Sequence, residues 1–204
     1  MLKLYYAPGT CALAAHIALA ETGTDYEGIA LDFFSKEQLT PEFLKLNSKA
    51  RVPVLVTDEG VLTETPAILA YIAQSYPDAQ LASLDNPFEF ARIQAFNNFL
   101  SSTVHVAHAH KLRGSRWADE PSSLEDMFRK VPENMSHLMK TLEDTMFVGP
   151  WVMGDSYTIC DPYLYTIARW LKNDRVDVAN FPKIEAHMKR MEARPAVQSI
   201  LVHH

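Results

Sequence analysis

Residues 2–31 read LKLYYAPGTCALAAHIALAETGTDYEGIAL, and this stretch decides the fold. Leu2–Tyr6 is a short strand-like run closed by the turn Pro8-Gly9. Cys11 to Glu21 reads as a helix: Leu13, Ile17 and Ala20 recur at helical spacing, and Gly23 supplies a C-cap. Tyr26–Leu31 is a second strand. A strand–helix–strand unit of this kind crosses over right-handed and lays its two strands parallel.

The following fifty residues extend the pattern. Pro41–Leu46 is a short helix, and Val52–Val56 and Val61–Thr63 form a hairpin around Asp58-Glu59-Gly60. Thr65–Tyr76 is the next helix, with Pro66 placed early, where a missing N–H is harmless. The order β-α-β-α-β-β-α, parallel at the start and a hairpin at the end, is that of a thioredoxin-like domain. Turn residues cluster in PDAQLASLDNP, residues 77–87. Beyond them the chain reads as helix almost throughout: Phe88 to about Leu112, Ser122–Met146 up to the break at Gly149-Pro150, Thr158–Leu171 and Lys183–Met191. The fold class is therefore α/β plus all-α, a thioredoxin-like domain over residues 1–80, a linker at 81–86 and a helical bundle domain over 87–204. His203-His204 is assigned no function.

Composition narrows the function classes. The 204 residues are 48% hydrophobic and 22% charged, an ordinary globular composition. Nineteen Lys and Arg against 25 Asp and Glu give a net charge of −6, and no basic block exists, which argues against a nucleic-acid partner. No apolar run approaches a membrane span, and two cysteines make no disulfide scaffold. These features predict a cytoplasmic protein with reduced thiols.

Five features carry chemistry. Cys11 follows a strand and a Pro-Gly turn at the first turn of a helix, where free N–H groups and the helix dipole lower a thiol pKa. Position 14 is alanine, so there is no Cys-x-x-Cys redox pair; Cys160 reads as a small buried hydrophobe. In Arg51-Val52-Pro53-Val54, a proline opening a strand is often cis and turns the Val52 backbone outward to pair with an extended peptide; the alternative is a plain strand-start proline. Glu64 and Thr65 lie where a strand meets a helix. Thr65 can cap that helix or help bind a carboxylate, and Glu64 suits an ammonium group. Asn98, Ser101, Ser102 and His105 fall at i, i+3, i+4 and i+7 and share a helix face. His105, His108 and His110 lack a completing carboxylate or thiol, so no metal is assigned, and His108 and His110 read as solvated surface. Last, Thr158-Ile159-Cys160-Asp161 is a capping box with Asp in place of Glu, a structural device.

The combination resembles a cytosolic glutathione transferase, most similar to the bacterial beta class. It rests on YAPGTCALAAHIAL, NSKARVPVL, LTETPAILAYIA, NNFLSSTVH and DSYTICDPYL, in order along nearly the whole chain. The resemblance implies a role for each matching residue. Cys11 is the active-site cysteine near the glutathione sulfur, and Tyr6 the tyrosine before it. Lys36 binds the glycyl end, and Val52 before Pro53 pairs with the cysteinyl unit; because the first half is acidic, affinity for the anionic peptide rests on local donors, Lys36, the helix ends and Arg51. Glu64 and Thr65 hold the γ-glutamyl head. Asn98 and His105 lie near the sulfur, Asn98 reaching across a dimer interface. Arg169 and Trp170 border the electrophile pocket. Ala12 and Pro162 depart from the class pattern.

The implied activity is conjugation of glutathione, a co-substrate rather than a prosthetic group, to a small hydrophobic electrophile by a homodimer. Alternatives are thiol–disulfide transfer or peroxide reduction through Cys11, and a non-catalytic binding scaffold.

Overall fold

The computed structural model describes all 204 residues. Strands β1 (Leu2–Tyr6), β2 (Tyr26–Ala30), β3 (Val54–Thr57) and β4 (Gly60–Thr63) form one sheet in the order β2-β1-β3-β4. β1 pairs parallel with β2, from Leu2 opposite Tyr26 to Tyr6 opposite Ala30. It pairs antiparallel with β3, which closes the hairpin with β4. This is the mixed sheet expected of a thioredoxin-like domain. β3 starts at Val54 rather than Val52, because Pro53 has no N–H to give the ladder.

Helix α1 (Ala12–Thr22) carries the first half. Residues Ala12 through Leu19 are all buried, and Gly23 ends the helix in the left-handed conformation at φ 68. A helix apolar on every side must be covered on every side. Here the sheet covers one face. Helices α3 (Thr65–Ser75), α7 (Cys160–Ala168) and α9 (Pro195–Leu201) cover the others. Four of the buried positions are alanine, which lets those neighbours approach closely. One buried cluster accordingly runs from Leu4, Ala14 and Leu55 through Ile68 to Phe96, Val131, Tyr163 and Ile184, so the sheet layer and the helices share a core.

The helical half holds α4 (Pro87–Phe99), α5 (His105–Arg113), α6 (Pro121–Thr141), α7, α8 (Pro182–Glu192) and α9; α2 (Pro41–Leu46) belongs to the first half. The helix expected to run unbroken from Phe88 is interrupted by a π-helical turn, Leu100–Val104, before α5 resumes. A second π turn, Leu142–Met146, ends the helix expected to stop at Met146. Helix α9 is an addition to the helices expected from sequence, although Pro195 stands at its first position in the usual way.

The capping box is present. Thr158 N–H donates to Asp161 Oδ2 at 2.7 Å, and Cys160 N–H donates to Thr158 Oγ1 at 3.3 Å. Asp161 does more than cap. Its Oδ1 also accepts from Val152 N–H at 2.9 Å and contacts His187 Nε2 at 3.0 Å, all with no solvent exposure.

Candidate active site

A cavity of about 310 Å³ opens between the sheet layer and the helices. Its floor is the β1–α1 turn. Gly9 adopts φ 73, a conformation that favours glycine, and its carbonyl accepts from Trp170 Nε1 at 3.2 Å, tying the turn to the helical half. Cys11 follows as the N-cap residue of α1, with no capping bond from its own side chain. Thr10 takes that part: its hydroxyl accepts from Ala12 N–H at 3.3 Å and donates to the Ala7 carbonyl at 2.7 Å.

The Cys11 thiol is 9% exposed and donates to the Val52 carbonyl at 3.5 Å. Burial pushes its pKa up from the ordinary value, opposed in part by the Thr65 hydroxyl and the Arg113 guanidinium. This corrects the sequence expectation of a lowered pKa. The helix terminus is present, but desolvation of the anion outweighs it.

One wall is the loop before β3. Asn47 is buried and holds it, donating from Nδ2 to the Arg51 carbonyl at 2.8 Å and accepting from Lys49 N–H at 3.2 Å. The Val52–Pro53 bond is cis, as the sequence suggests, and the Val52 N–H finds no acceptor within the chain. Beside it Glu64 takes φ 73, an uncommon conformation for a side-chain-bearing residue, of the kind that concentrates at ligand sites. Lys49 Nζ reaches Glu64 Oε1 at 2.5 Å and Thr63 Oγ1 at 2.7 Å. Thr65 is the first residue of α3, not its cap; Glu64 occupies the N-cap position with no side-chain bond. Thr65 lines the cavity together with Cys11 and Tyr163.

The opposite wall comes from α5, α7 and the turns after them. His105 faces the cavity, with its ring centroid 4.9 Å from that of Trp170. Its pKa is lowered to about 4, first by burial, then by Arg113, His108, Arg116 and Arg51, so the ring is neutral at pH 7. His108 is not solvated surface, as expected from sequence. It stacks on Trp170 at 4.4 Å, and its Nδ1 meets Oδ2 of the buried Asp174 at 2.7 Å.

Of the residues predicted from sequence, Cys11, His105, Arg51, Val52, Pro53, Glu64, Thr65 and Trp170 line this one cavity. Tyr6, Lys36, Asn98 and Arg169 do not. Tyr6 points into the buried face of the sheet against His16 and His204, with centroids 4.6 and 4.9 Å away. Lys36 precedes a 3-10 turn, Glu37–Leu39, and from that turn Gln38 reaches the cavity instead. Asn98 is solvent-exposed, and Arg169 lies over the Tyr165 ring. Arg113, Arg116, Trp117 and Tyr163 also line the cavity, and nothing local in the sequence marks them as doing so.

Known proteins resemble this chain over nearly its whole length. Residues 1–74 match the family model "Glutathione S-transferase, N-terminal domain", and residues 62–195 match "Glutathione S-transferase, C-terminal domain". The chain belongs to the glutathione S-transferase family. Among curated relatives, glutathione S-transferase GstA of Escherichia coli is 32% identical, over 98% of this chain and 97% of that protein. Among solved structures, a glutathione transferase homolog from Sulfitobacter with bound glutathione is 42% identical at a TM-score of 0.95, covering 98% of this chain and 96% of that one. A bacterial beta class glutathione S-transferase from Sphingomonas chungbukensis is 30% identical at a TM-score of 0.78, covering 98% and 97%. The expected resemblance to bacterial transferases of beta-like type therefore holds. No helix is long and apolar enough to cross a membrane.

Proposed function

We propose that the protein binds glutathione in this cavity, stabilises its thiolate and conjugates it to a small electrophile. One observation carries the reading: receptors for both ends of the tripeptide and for its sulfur meet in a single cavity. The unpartnered Val52 N–H offers the backbone pair for the cysteinyl unit. Glu64 and the free N–H groups at the start of α3 suit the ammonium and carboxylate of the γ-glutamyl head. Arg51 lines the cavity and Lys36 does not, so Arg51 is the cation assigned to the glycyl carboxylate. The sulfur lies between Cys11 and His105.

In the chemical step the thiol proton passes to solvent by way of the neutral His105 ring. The thiolate then attacks the electrophilic carbon. A carbon–sulfur bond forms, and in a substitution the leaving group departs with its electron pair. The helix terminus at residue 11 favours that anion. Trp170, beside His105, borders the second-substrate space. The domain limits 1–80, 81–86 and 87–204 are proposed with this function. So is a homodimer, in which the exposed Asn98 faces the partner subunit; a monomer by light scattering at micromolar concentration contradicts it.

The test is retention on immobilised glutathione. The protein is retained and elutes with free glutathione; a folded protein that flows through favours the scaffold reading and overturns this one. Thiol transfer is the second reading, because the Cys11 thiol itself lines the cavity. There Cys11 attacks a mixed disulfide, expels the free thiol, and is released by a second glutathione. Its raised pKa weighs against this route at neutral pH. Cys11→Ala retains conjugation and loses disulfide exchange; loss of both, or of neither, overturns the assignment of Cys11.

A further inference from the structure

Three guanidinium groups face the cavity, and none forms an ion pair. Arg51 comes from the loop before β3, Arg113 ends α5, and Arg116 lies in the turn after it. No carboxylate in the chain pairs with any of them. The one acidic residue lining the cavity, Glu64, pairs with Lys49 and with none of the arginines. The three charges lie close enough to act on each other and on His105. Arg116 has its pKa lowered by partial burial and by Arg113 and Arg51, and the same three arginines help hold His105 neutral. Like charges gathered in a partly dry space cost free energy, and an anion that enters recovers it.

The placement of the two helical arginines is built. Gly114 lies between them and packs on α6, where an added Cβ would meet Leu124 at 3.1 Å and Met127 at 3.3 Å. Trp117 is braced edge-on by the His110 ring at 4.6 Å. Arg113 and Arg116 thus line the cavity together with Trp117 and Trp170. A guanidinium fork matches a carboxylate in a way no neutral group does.

Glutathione, bound as proposed above, uses Arg51 at its glycyl end and leaves this pair unanswered. We propose that Arg113 and Arg116 select the second substrate, and that it is a small aromatic or unsaturated electrophile carrying a carboxylate. This rests on the glutathione reading and narrows the hydrophobic electrophile that the family resemblance implies, since the pocket beside the sulfur is cationic and aromatic.

Binding of 3-nitrobenzoate and of uncharged 3-nitrobenzamide is compared by tryptophan fluorescence quenching, in protein saturated with S-methylglutathione. These probes do not react, so the result is independent of turnover. The benzoate is expected to bind on the order of tenfold more tightly. That preference weakens as salt is raised and vanishes in R113Q/R116Q, with R116Q alone, a change at an exposed side chain, giving an intermediate loss. Equal affinities overturn the proposal, as does a benzoate preference that survives in R113Q/R116Q. Displacement of S-methylglutathione by the benzoate also overturns it, because the arginines would then serve the tripeptide's own carboxylates. Failure to bind S-methylglutathione at all strikes the glutathione reading instead, and the benzoate preference is then read in the empty cavity, where the arginines either produce it or do not.

Discussion

The Cys11 thiol and the Val52 carbonyl meet at 3.5 Å, joining the first turn of α1 to the loop before β3. A thiol that donates to a carbonyl is held in its protonated form, and burial acts in the same direction. The residue most easily read from sequence as a reactive thiolate is thus restrained in the free protein.

Alkylation measures that restraint. With the pKa raised, the thiolate fraction at pH 7 falls below that of a free cysteine. Labelling of Cys11 by iodoacetamide, followed by peptide mapping, is expected to be about tenfold or more slower than labelling of free glutathione at pH 7. The rate keeps climbing above pH 9. A plateau reached below pH 8 contradicts this.

His105 titrates near pH 4, so its ring is already neutral throughout the physiological range. Conjugation rates should therefore show no limb belonging to His105 between pH 6 and 7. His105→Asn lowers kcat by roughly 10²-fold, the usual contribution of a positioned proton acceptor. An inflection near pH 6.5 that disappears in His105→Asn counts against the assignment.

Asp161 is the structural site of greatest consequence. Replacement by Ala strands the Val152 and Thr158 N–H groups and the fully buried His187. Urea denaturation should show a loss of about 3–5 kcal/mol, against about 1 kcal/mol for Thr158→Ala, which removes two long bonds, one from Cys160 N–H and one to Asp161. Equal losses in the two variants would contradict the central part given to Asp161.

Acid should loosen the C-terminal contact. His16 Nδ1 and His204 Nε2 lie 3.0 Å apart, and burial lowers their pKa values to about 4 and about 3. The unfolded chain protonates these rings near pH 6.5, whereas the folded chain does not until pH 4 or below, so the unfolded state binds more protons in between. Stability is unaffected above pH 7 and falls progressively from pH 6.5 to about 4, by about 3 kcal/mol for His16. His16→Gln should flatten that slope in urea titrations at pH 4.5 and pH 7.5. An unchanged slope rules out this origin.

Much of the architecture is legible in the sequence because local rules and the tertiary fold agree. The β1–α1–β2 unit, the Gly23 cap and the Thr158–Asp161 box each depend on neighbours in sequence, and each is present. The misses depend on distant contacts. Thr65 has the chemistry of a cap, but α3 begins at Thr65 itself and Glu64 takes the N-cap position. Tyr6 stands one residue from the cavity turn, yet strand alternation sends its ring into the core. Arg113 and Arg116 look like ordinary surface charge until α5 is placed opposite Arg51. For Cys11 the helix terminus is visible in sequence, whereas the depth of burial that reverses its effect is not.

The wide turn at Leu100–Val104 has a consequence for how this protein tolerates change in length. Its added residue offsets the register between the outward-facing Asn98 and the inward-facing His105. Removing a single residue there would leave six ordinary steps, about 600°, between Asn98 and His105, the offset that the wide turn already gives. His105, Arg113 and Arg116 would keep their places on the cavity wall. A one-codon deletion at this point is the length change this helix tolerates, whereas an added residue in regular helix would swing the following side chains by about 100°.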